Sequence, residues 1–304
     1  MEKRRRIIDY NLIKILSSLG CKILRDELLL KHCSFKIGGP ADFFIEIPNE
    51  CALLEFLKIV SGFDKYYILG KGTNVLFSDE GYRGIVVYLT EDFKKSYVFE
   101  NQISCGGGML ISDLLKTTLK NNLTGLEYLA GIPGTVGGAV YGNAGTGIKN
   151  EWISTSINSI EIYKNLEKQL ISKEKIRFGY RESELEDCII TKVNFSLERS
   201  IKNDSLEKIC KNMQKRLKTQ PFNMPNAGSI FKNPSGFNAG KLIEYAGLKG
   251  KRIGFAQVSE LHGNFIINRG GAIAKDVLYL IDLIKEKVKE KFNVNLETEI
   301  KMIR

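Results

Sequence analysis

Nowhere in the 304-residue chain is there a run approaching the roughly 20 uninterrupted apolar residues that a membrane-spanning helix needs, so no membrane insertion is expected. Histidine is scarce, with two in all, and the six cysteines (Cys21, Cys33, Cys51, Cys105, Cys188 and Cys210) form no C-x-x-C pair. No metal site is therefore expected, and a reducing, cytoplasmic setting fits these thiols best. No export signal is expected either: the basic cluster at 3–6 is followed by Asp9, Asn11 and Lys14, which break any signal-peptide core. The chain has no internal repeat and no low-complexity tract. What is present is an ordinary globular composition, 43% hydrophobic and 26% charged, long enough for two or three lobes with separate cores.

The net charge of +10 is spread along the chain rather than banded. Lys and Glu alternate over 285–291 as on a solvated helix face. A basic nucleic-acid-binding protein is one reading of the surplus, but no recognition motif or ladder of basic and aromatic residues supports it, so no nucleic-acid partner is expected. A phosphorylated small ligand would draw on the same charge.

Apolar Ile8, Leu12, Ile15, Leu16 and Leu19 predict an amphipathic first helix. A strand at 43–47, a turn at Pro48-Asn49, a helix over 50–61 and strands at 66–69 and 85–89 describe an α/β lobe to about residue 88. A strand at 98–105, interrupted by Gly106-Gly107-Gly108, a helix over 109–121 and strands at 157–163 and 189–197 describe an α+β lobe over 89–200. A helix over 201–218 stops where Pro221 and Pro225 force a loop. Beyond it come a short helix at 239–246, a strand at 264–267, a helix over 275–291 burying Val277, Ile281, Ile284, Val288 and Phe292, and a final strand at 296–303.

Two glycine-dense stretches invite a chemical explanation. One runs over 131–147 and contains Gly131, Ile132, Pro133, Gly134, Thr135, Gly137, Gly138, Ala139 and Asn143; the other is Gly70-Lys71-Gly72-Thr73-Asn74, directly after a strand. Such density costs backbone entropy, and it lets successive N–H groups approach an anion while Thr135 and Asn143 add side-chain donors. Neither stretch is a G-x-G-x-x-G that opens a helix with an acid downstream, so a Rossmann site is not expected. Either alone reads as a tight turn; the pair reads as a diphosphate cradle.

With Ser34-Phe35-Lys36-Ile37-Gly38-Gly39-Pro40-Ala41-Asp42, Gly179-Tyr180-Arg181-Glu182-Ser183 and Asn226-Ala227-Gly228-Ser229-Ile230-Phe231-Lys232-Asn233-Pro234, these stretches resemble, in order and over about 20–303, the UDP-N-acetylenolpyruvoylglucosamine reductases, also called UDP-N-acetylmuramate dehydrogenases. The resemblance implies an α+β protein with a two-lobed FAD-binding fold of the vanillyl-alcohol-oxidase (PCMH) type and a C-terminal α/β substrate domain. Residues 1–88 and 89–200 would form the FAD lobes, with the strand 296–304 returning to the second, and 201–295 the substrate domain. FAD would be held noncovalently by residues 70–74 and 131–143, NADPH would be the cosubstrate and a UDP-linked enolpyruvyl sugar the substrate. The enzyme would act as a monomer in peptidoglycan precursor synthesis.

By the same resemblance Arg181, Ser229 and Glu299 are catalytic, and Tyr180, Arg216, Asn233, His262 and Asn264 touch substrate or nicotinamide. Arg181 would stabilise charge developing beside the substrate carboxylate, Ser229 would supply a proton, and a protonated Glu299 would hold the carboxylate. Glu297 competes for the last role, because strand alternation sends residues two apart to one face. His262 and His32 also read as structural histidines. Three departures stand out: Thr73 replaces a common serine, Thr219 a common lysine, and Gly147 an aromatic residue. The short stretch between 181 and 210 leaves no room for the tyrosine-bearing insertion of the longer class. Another FAD-dependent oxidase or dehydrogenase of the same fold is the alternative, though such enzymes lack the 226–234 motif.

Overall fold

A computed structural model describes residues 10–60, 66–146, 151–164, 166–200 and 202–304; the basic start at 3–6, Ile8, the side chain of Leu12, and Gly147 lie outside the described residues. In chain order the elements are α1 (Tyr10–Ser18), β1 (Lys22–Leu28), β2 (Pro40–Ile47), α2 (Glu50–Val60), β3 (Tyr66–Leu69), β4 (Val75–Phe77), β5 (Tyr82–Leu89), β6 (Ser96–Phe99) and β7 (Gln102–Gly106). Then follow α3 (Ile111–Lys120), β8 (Leu123–Thr124), α4 (Val136–Tyr141), β9 (Ile157–Lys164), β10 (Glu167–Ser172), β11 (Phe178–Gly179), β12 (Glu182–Ser183), β13 (Ile189–Ser196) and β14 (Glu198–Arg199). The last are α5 (Lys202–Thr219), β15 (Asn226–Ser229), α6 (Ala239–Tyr245), β16 (Arg252–Ile253), β17 (Ala256–Val258), β18 (Phe265–Asn268), α7 (Ala274–Phe292) and β19 (Lys301–Ile303). One four-stranded sheet has the order β1-β2-β5-β3. Contacts divide the chain into two units: the first holds the residues up to Arg25, Phe43–Gly70 and Gly84–Met213, and the second Asp26–Asp42, Lys71–Arg83 and Gln214–Arg304.

In the first unit β3 runs parallel to β5, and α2 covers a core that includes Leu16, Ile45, Ile85 and Val87. Asn49 opens α2 by accepting the Ala52 N–H at 2.9 Å, and Ala52, Leu53, Phe56, Leu57 and Val60 are buried. Each large side chain buried this way stabilises by about 1.5–3 kcal/mol, so the apolar face outweighs the cap. On α1 the buried line runs through Leu16 with Ile13 and Leu19 partly covered, whereas Ile15 is 46% exposed and leaves the expected stripe. A second core, with Leu114, Val136, Ile160, Val193 and Phe195, lies with the antiparallel sheet β10-β9-β13-β7-β6.

The single strand expected at 98–105 is a hairpin. Phe99 pairs with Gln102 across Glu100, which takes a left-handed φ of 52°, and Asn101. The carbonyl of Asn101 accepts the Leu197 N–H at 2.9 Å while its side-chain amide donates to the Leu197 carbonyl at 3.0 Å, and these contacts lock the reversal.

In the second unit an antiparallel sheet has the order β15-β18-β17-β16, and α7 buries Val277, Leu280, Ile281, Ile284 and Val288. Phe292, expected on that stripe, is only partly covered in the last turn. Asn293, at φ 55°, ends α7 in the left-handed conformation common there. The expected strand 296–303 is corrected to an isolated bridge at Thr298, opposite Phe231, a bend at Ile300, and β19. β19 runs parallel to β4 rather than beside a strand of residues 89–200.

The start of α7 is held from a distance. Asp79 accepts the Ala274 N–H at 2.6 Å and the Lys275 N–H at 3.1 Å, placing a carboxylate against the positive end of the helix. Asp79→Ala is expected to cost about 0.5–1 kcal/mol in urea denaturation; an unchanged midpoint would remove the cap from the account.

Candidate functional site

The first unit holds the longer glycine stretch and the arginine hairpin. Thr135 is 3% exposed and caps α4 by accepting the Gly138 N–H at 3.2 Å. Val136 and Gly137 donate at 2.8 Å to the carbonyls of Met109 and Gly107, laying this backbone on the turn after β7. At the end of β3, a Cβ built on Gly70 would stand 2.7 Å from the Thr135 hydroxyl oxygen. Gly70 thus lies against Thr135.

The chemistry of this region suits a diphosphate. The stretch 131–146 contains no acidic residue, and Thr135 brings a hydroxyl. Gly131, Ile132, Gly134 and Gly137 are only partly covered, and Pro133 and Gly138 are exposed, although Thr135, Val136 and Ala139 beside them are buried. Backbone N–H groups of such a stretch suit an FAD diphosphate.

Asn143 was expected to offer a donor to ligand, but its amide is committed inside the protein. It is 3% exposed and left-handed at φ 40°; its Nδ2 donates to the Gly179 carbonyl at 2.8 Å and its Oδ1 accepts from the Ser154 N–H at 3.4 Å. The Ser183 hydroxyl donates to the Tyr141 carbonyl at 2.8 Å. These bonds fasten the β11–β12 hairpin to the glycine stretch, with Tyr180 and Arg181 at its turn.

Arg181 has a left-handed φ of 62°, uncommon for a residue with a side chain. Its Nη1 donates to the Gly145 carbonyl at 3.0 Å. Its Cζ lies 5.6 Å from the Tyr180 ring centre and 5.8 Å from that of Trp152, and the two rings meet edge to face at 5.7 Å. Trp152 escaped sequence reasoning; its one available signal was that the chain has no other tryptophan.

The second unit holds Ser229 and Glu299. Gly72, at φ 64°, fits where a Cβ would strike the His32 carbonyl oxygen and stand 2.7 Å from the Cys33 Cα. Ser34 ties the loop down: its N–H donates to the Gly72 carbonyl at 3.0 Å, and its hydroxyl donates to the Asn226 carbonyl at 2.6 Å. Asn226 pairs with Ile267 and Ser229 with Phe265, so two residues on β15 oppose one on β18. This bulge reorients the strand just before Ser229. Asn226 braces it, donating to the Pro221 and Met224 carbonyls and accepting the Gly228 N–H at 2.9 Å.

Glu299 is laced to the same strand. Its N–H donates to the Ile230 carbonyl at 2.8 Å, and its carbonyl accepts from Asn74 Nδ2 at 3.3 Å. Glu297 and Glu299 differ in exposure. The Glu297 side chain is 79% exposed, 3.8 Å from Lys232, while Glu299 is half-buried.

The remaining candidates are mostly tied into the scaffold. Asn264, 4% exposed, accepts the Phe231 N–H at 2.9 Å and donates to the Phe231 carbonyl at 2.8 Å, which makes it a strut beside Ser229. Asn233 accepts the Ala239 N–H at 3.0 Å at the start of α6. Arg216 is half-buried on α5, and Thr219 bonds the Lys215 carbonyl from an exposed position. His32 meets Glu27 at 3.0 Å, and their hydrogen bond holds the Glu27 carboxyl below its ordinary range.

His262 packs edge to face on Phe265, and its Nδ1 accepts the Asn264 N–H at 3.2 Å. Burial first, and then the Lys249 ammonium, pushes its imidazole below the usual range, so the folded chain holds it neutral.

Two family models match the chain: "UDP-N-acetylenolpyruvoylglucosamine reductase, C-terminal domain" over residues 220–303 and "FAD binding domain" over 41–165. The UDP-N-acetylenolpyruvoylglucosamine reductase of Bacillus subtilis (strain 168) is 38% identical over 286 residues, 93% of this chain and 94% of that protein. That of Alkaliphilus oremlandii is 41% identical over 285 residues, 92% of this chain and 93% of its own length. The crystal structure of the UDP-N-acetylenolpyruvylglucosamine reductase from Thermus caldophilus superposes with a TM-score of 0.82 at 34% identity, covering 93% of this chain and all of that one.

The neutral imidazole of His262 generates a prediction. Its contribution to stability is complete above the unfolded value of about 6.5 and is lost as pH falls below it, because the unfolded chain then binds the extra proton. His262→Gln is expected to flatten the fall in denaturation midpoint between about pH 7 and pH 5. A parent-like slope would contradict a neutral, buried ring.

Proposed function

Because the chain belongs to the UDP-N-acetylenolpyruvoylglucosamine reductase family, an FAD-dependent oxidoreductase family, we propose that it uses NADPH to reduce UDP-N-acetylglucosamine enolpyruvate to UDP-N-acetylmuramate in peptidoglycan precursor synthesis. The observation carrying this reading is the approach of Gly70 to Thr135, in acid-free backbone fastened to the Arg181 hairpin. Residues 1–88 and 89–200 are proposed to form the FAD lobes and 201–295 the substrate domain. The FAD-domain match falls across the first two ranges and the reductase match across most of the third. The enzyme is proposed to act as a cytoplasmic monomer.

In this reading Gly70, Lys71, Gly72, Thr73 and Asn74, with Gly131, Ile132, Pro133, Gly134, Thr135, Gly137, Gly138 and Ala139, hold the FAD diphosphate; Asn143 serves as the brace of that stretch. When bound, FAD supplies a hydride, drawn from NADPH, to the enolpyruvyl methylene carbon. Arg181 stabilises the negative charge that develops on the neighbouring carbon and carboxylate, since a planar fork of donors serves a carboxylate better than a point charge. Ser229 passes its hydroxyl proton to that carbon, completing the addition of hydride and proton across the double bond. Glu299 is assigned to the substrate carboxylate in preference to Glu297, whose side chain faces solvent and Lys232. Tyr180, Arg216 and Asn233 remain candidates for substrate contact, while Asn264 and His262 act by supporting the Ser229 strand.

The test is anaerobic. NADPH should bleach the flavin of the purified holoenzyme, and only the UDP-linked enolpyruvyl sugar should restore its colour; a protein without flavin, or one reoxidised by unrelated hydroxy acids, refutes the assignment. Ser229→Ala should still be reduced by NADPH but lose turnover by at least roughly 10²–10³-fold. Parent-like turnover would take the proton-donor role away from Ser229. Arg181→Lys should also be severely impaired, because the fork is lost although the charge remains.

A further inference from the structure

We infer that Trp152 is a positioning residue that keeps the Arg181 guanidinium aimed. This rests on the role given to Arg181 above.

The guanidinium meets the Gly145 carbonyl at 3.0 Å, the Tyr180 ring and the Trp152 ring. Tyr180 adjoins Arg181 in the same hairpin turn, so it moves with that turn, and it is 37% exposed. Trp152 belongs to a different segment. It forms a bridge with Gly145, Ile153 donates to the Ala144 carbonyl at 2.8 Å, and the Trp152 carbonyl accepts from both the Thr155 N–H at 3.0 Å and the Thr155 hydroxyl at 2.7 Å. The carbonyl that accepts from Arg181 and the ring that faces it are therefore parts of one backbone ladder. Two fixed points, one polar and one aromatic, set the direction of a flat cation.

The electron-rich face of an indole attracts a guanidinium without using up its N–H donors. A long side chain without that face spends less time in the productive orientation. A cation–π contact of this kind accounts for about a 3- to 30-fold effect.

The experiment uses the holoenzyme with Trp152→Leu and Trp152→Phe. Flavin reduction by NADPH should stay within about twofold of the parent for both, while reoxidation by the enolpyruvyl substrate falls about 3- to 30-fold in Trp152→Leu and largely recovers in Trp152→Phe, which keeps a ring face. Equal losses in both half-reactions would mean a merely structural ring, and parent-like reoxidation in Trp152→Leu would mean no role; either result overturns the proposal. A second readout needs no turnover, since the only tryptophan reports on itself. Arg181→Met should shift the emission of Trp152 and increase its quenching by acrylamide, and unchanged emission would also overturn the proposal. If the reduced parent enzyme is not reoxidised by the substrate, the functional reading fails instead, and the emission measurement still decides the contact.

Discussion

The close approach of Gly70 to Thr135 is the constraint on which the proposed cofactor site depends. A methyl group at residue 70 would press on the oxygen that caps α4. Rotating that oxygen away would surrender the bond to Gly138, and Thr135 is too deeply packed to withdraw. From this point a continuous set of bonds leads to Arg181. The glycine stretch lies on Gly107 and Met109, Asn143 and Tyr141 hold the β11–β12 hairpin, and the Gly145 carbonyl receives the guanidinium. The role proposed for Arg181 needs an aimed guanidinium, and the Gly145 carbonyl that receives it is fixed in the backbone.

The second unit solves a different problem. Ser229 sits just past a bulge, and the Glu299 main chain is bound to Ile230, the next residue. Asparagines do most of this work. Asn226 braces the bulge, Asn264 clasps both polar atoms of Phe231, and Asn268 donates to the Phe35 carbonyl at 3.1 Å. Each has a side chain that can donate and accept at once, which is what buried, irregular backbone requires. Several residues that resemble substrate contacts by position thus have their polar atoms engaged by the protein itself.

Much of this was legible because it is local. The stripe on α7 and the apolar face of α2 follow from periodicity, and the two glycine stretches stand out by density alone. The hairpin at Glu100-Asn101 was missed because the reversal carries no glycine or proline and its partner, Leu197, is distant in sequence. The end of the chain was misread as one strand because alternation says nothing of a bend at Ile300. Trp152 could not be found from spacing: it reaches Arg181 through a bridge to Gly145, and register is a property of the fold.

The most direct test of the central claim is the affinity of Gly70→Ala for FAD, measured by titrating flavin into the stripped protein while circular dichroism checks that the fold persists. With the fold intact, the steric conflict with Thr135 predicts binding at least roughly 10-fold weaker than the parent. Parent-like affinity in a folded Gly70→Ala protein would contradict the diphosphate site proposed at Gly70 and Thr135.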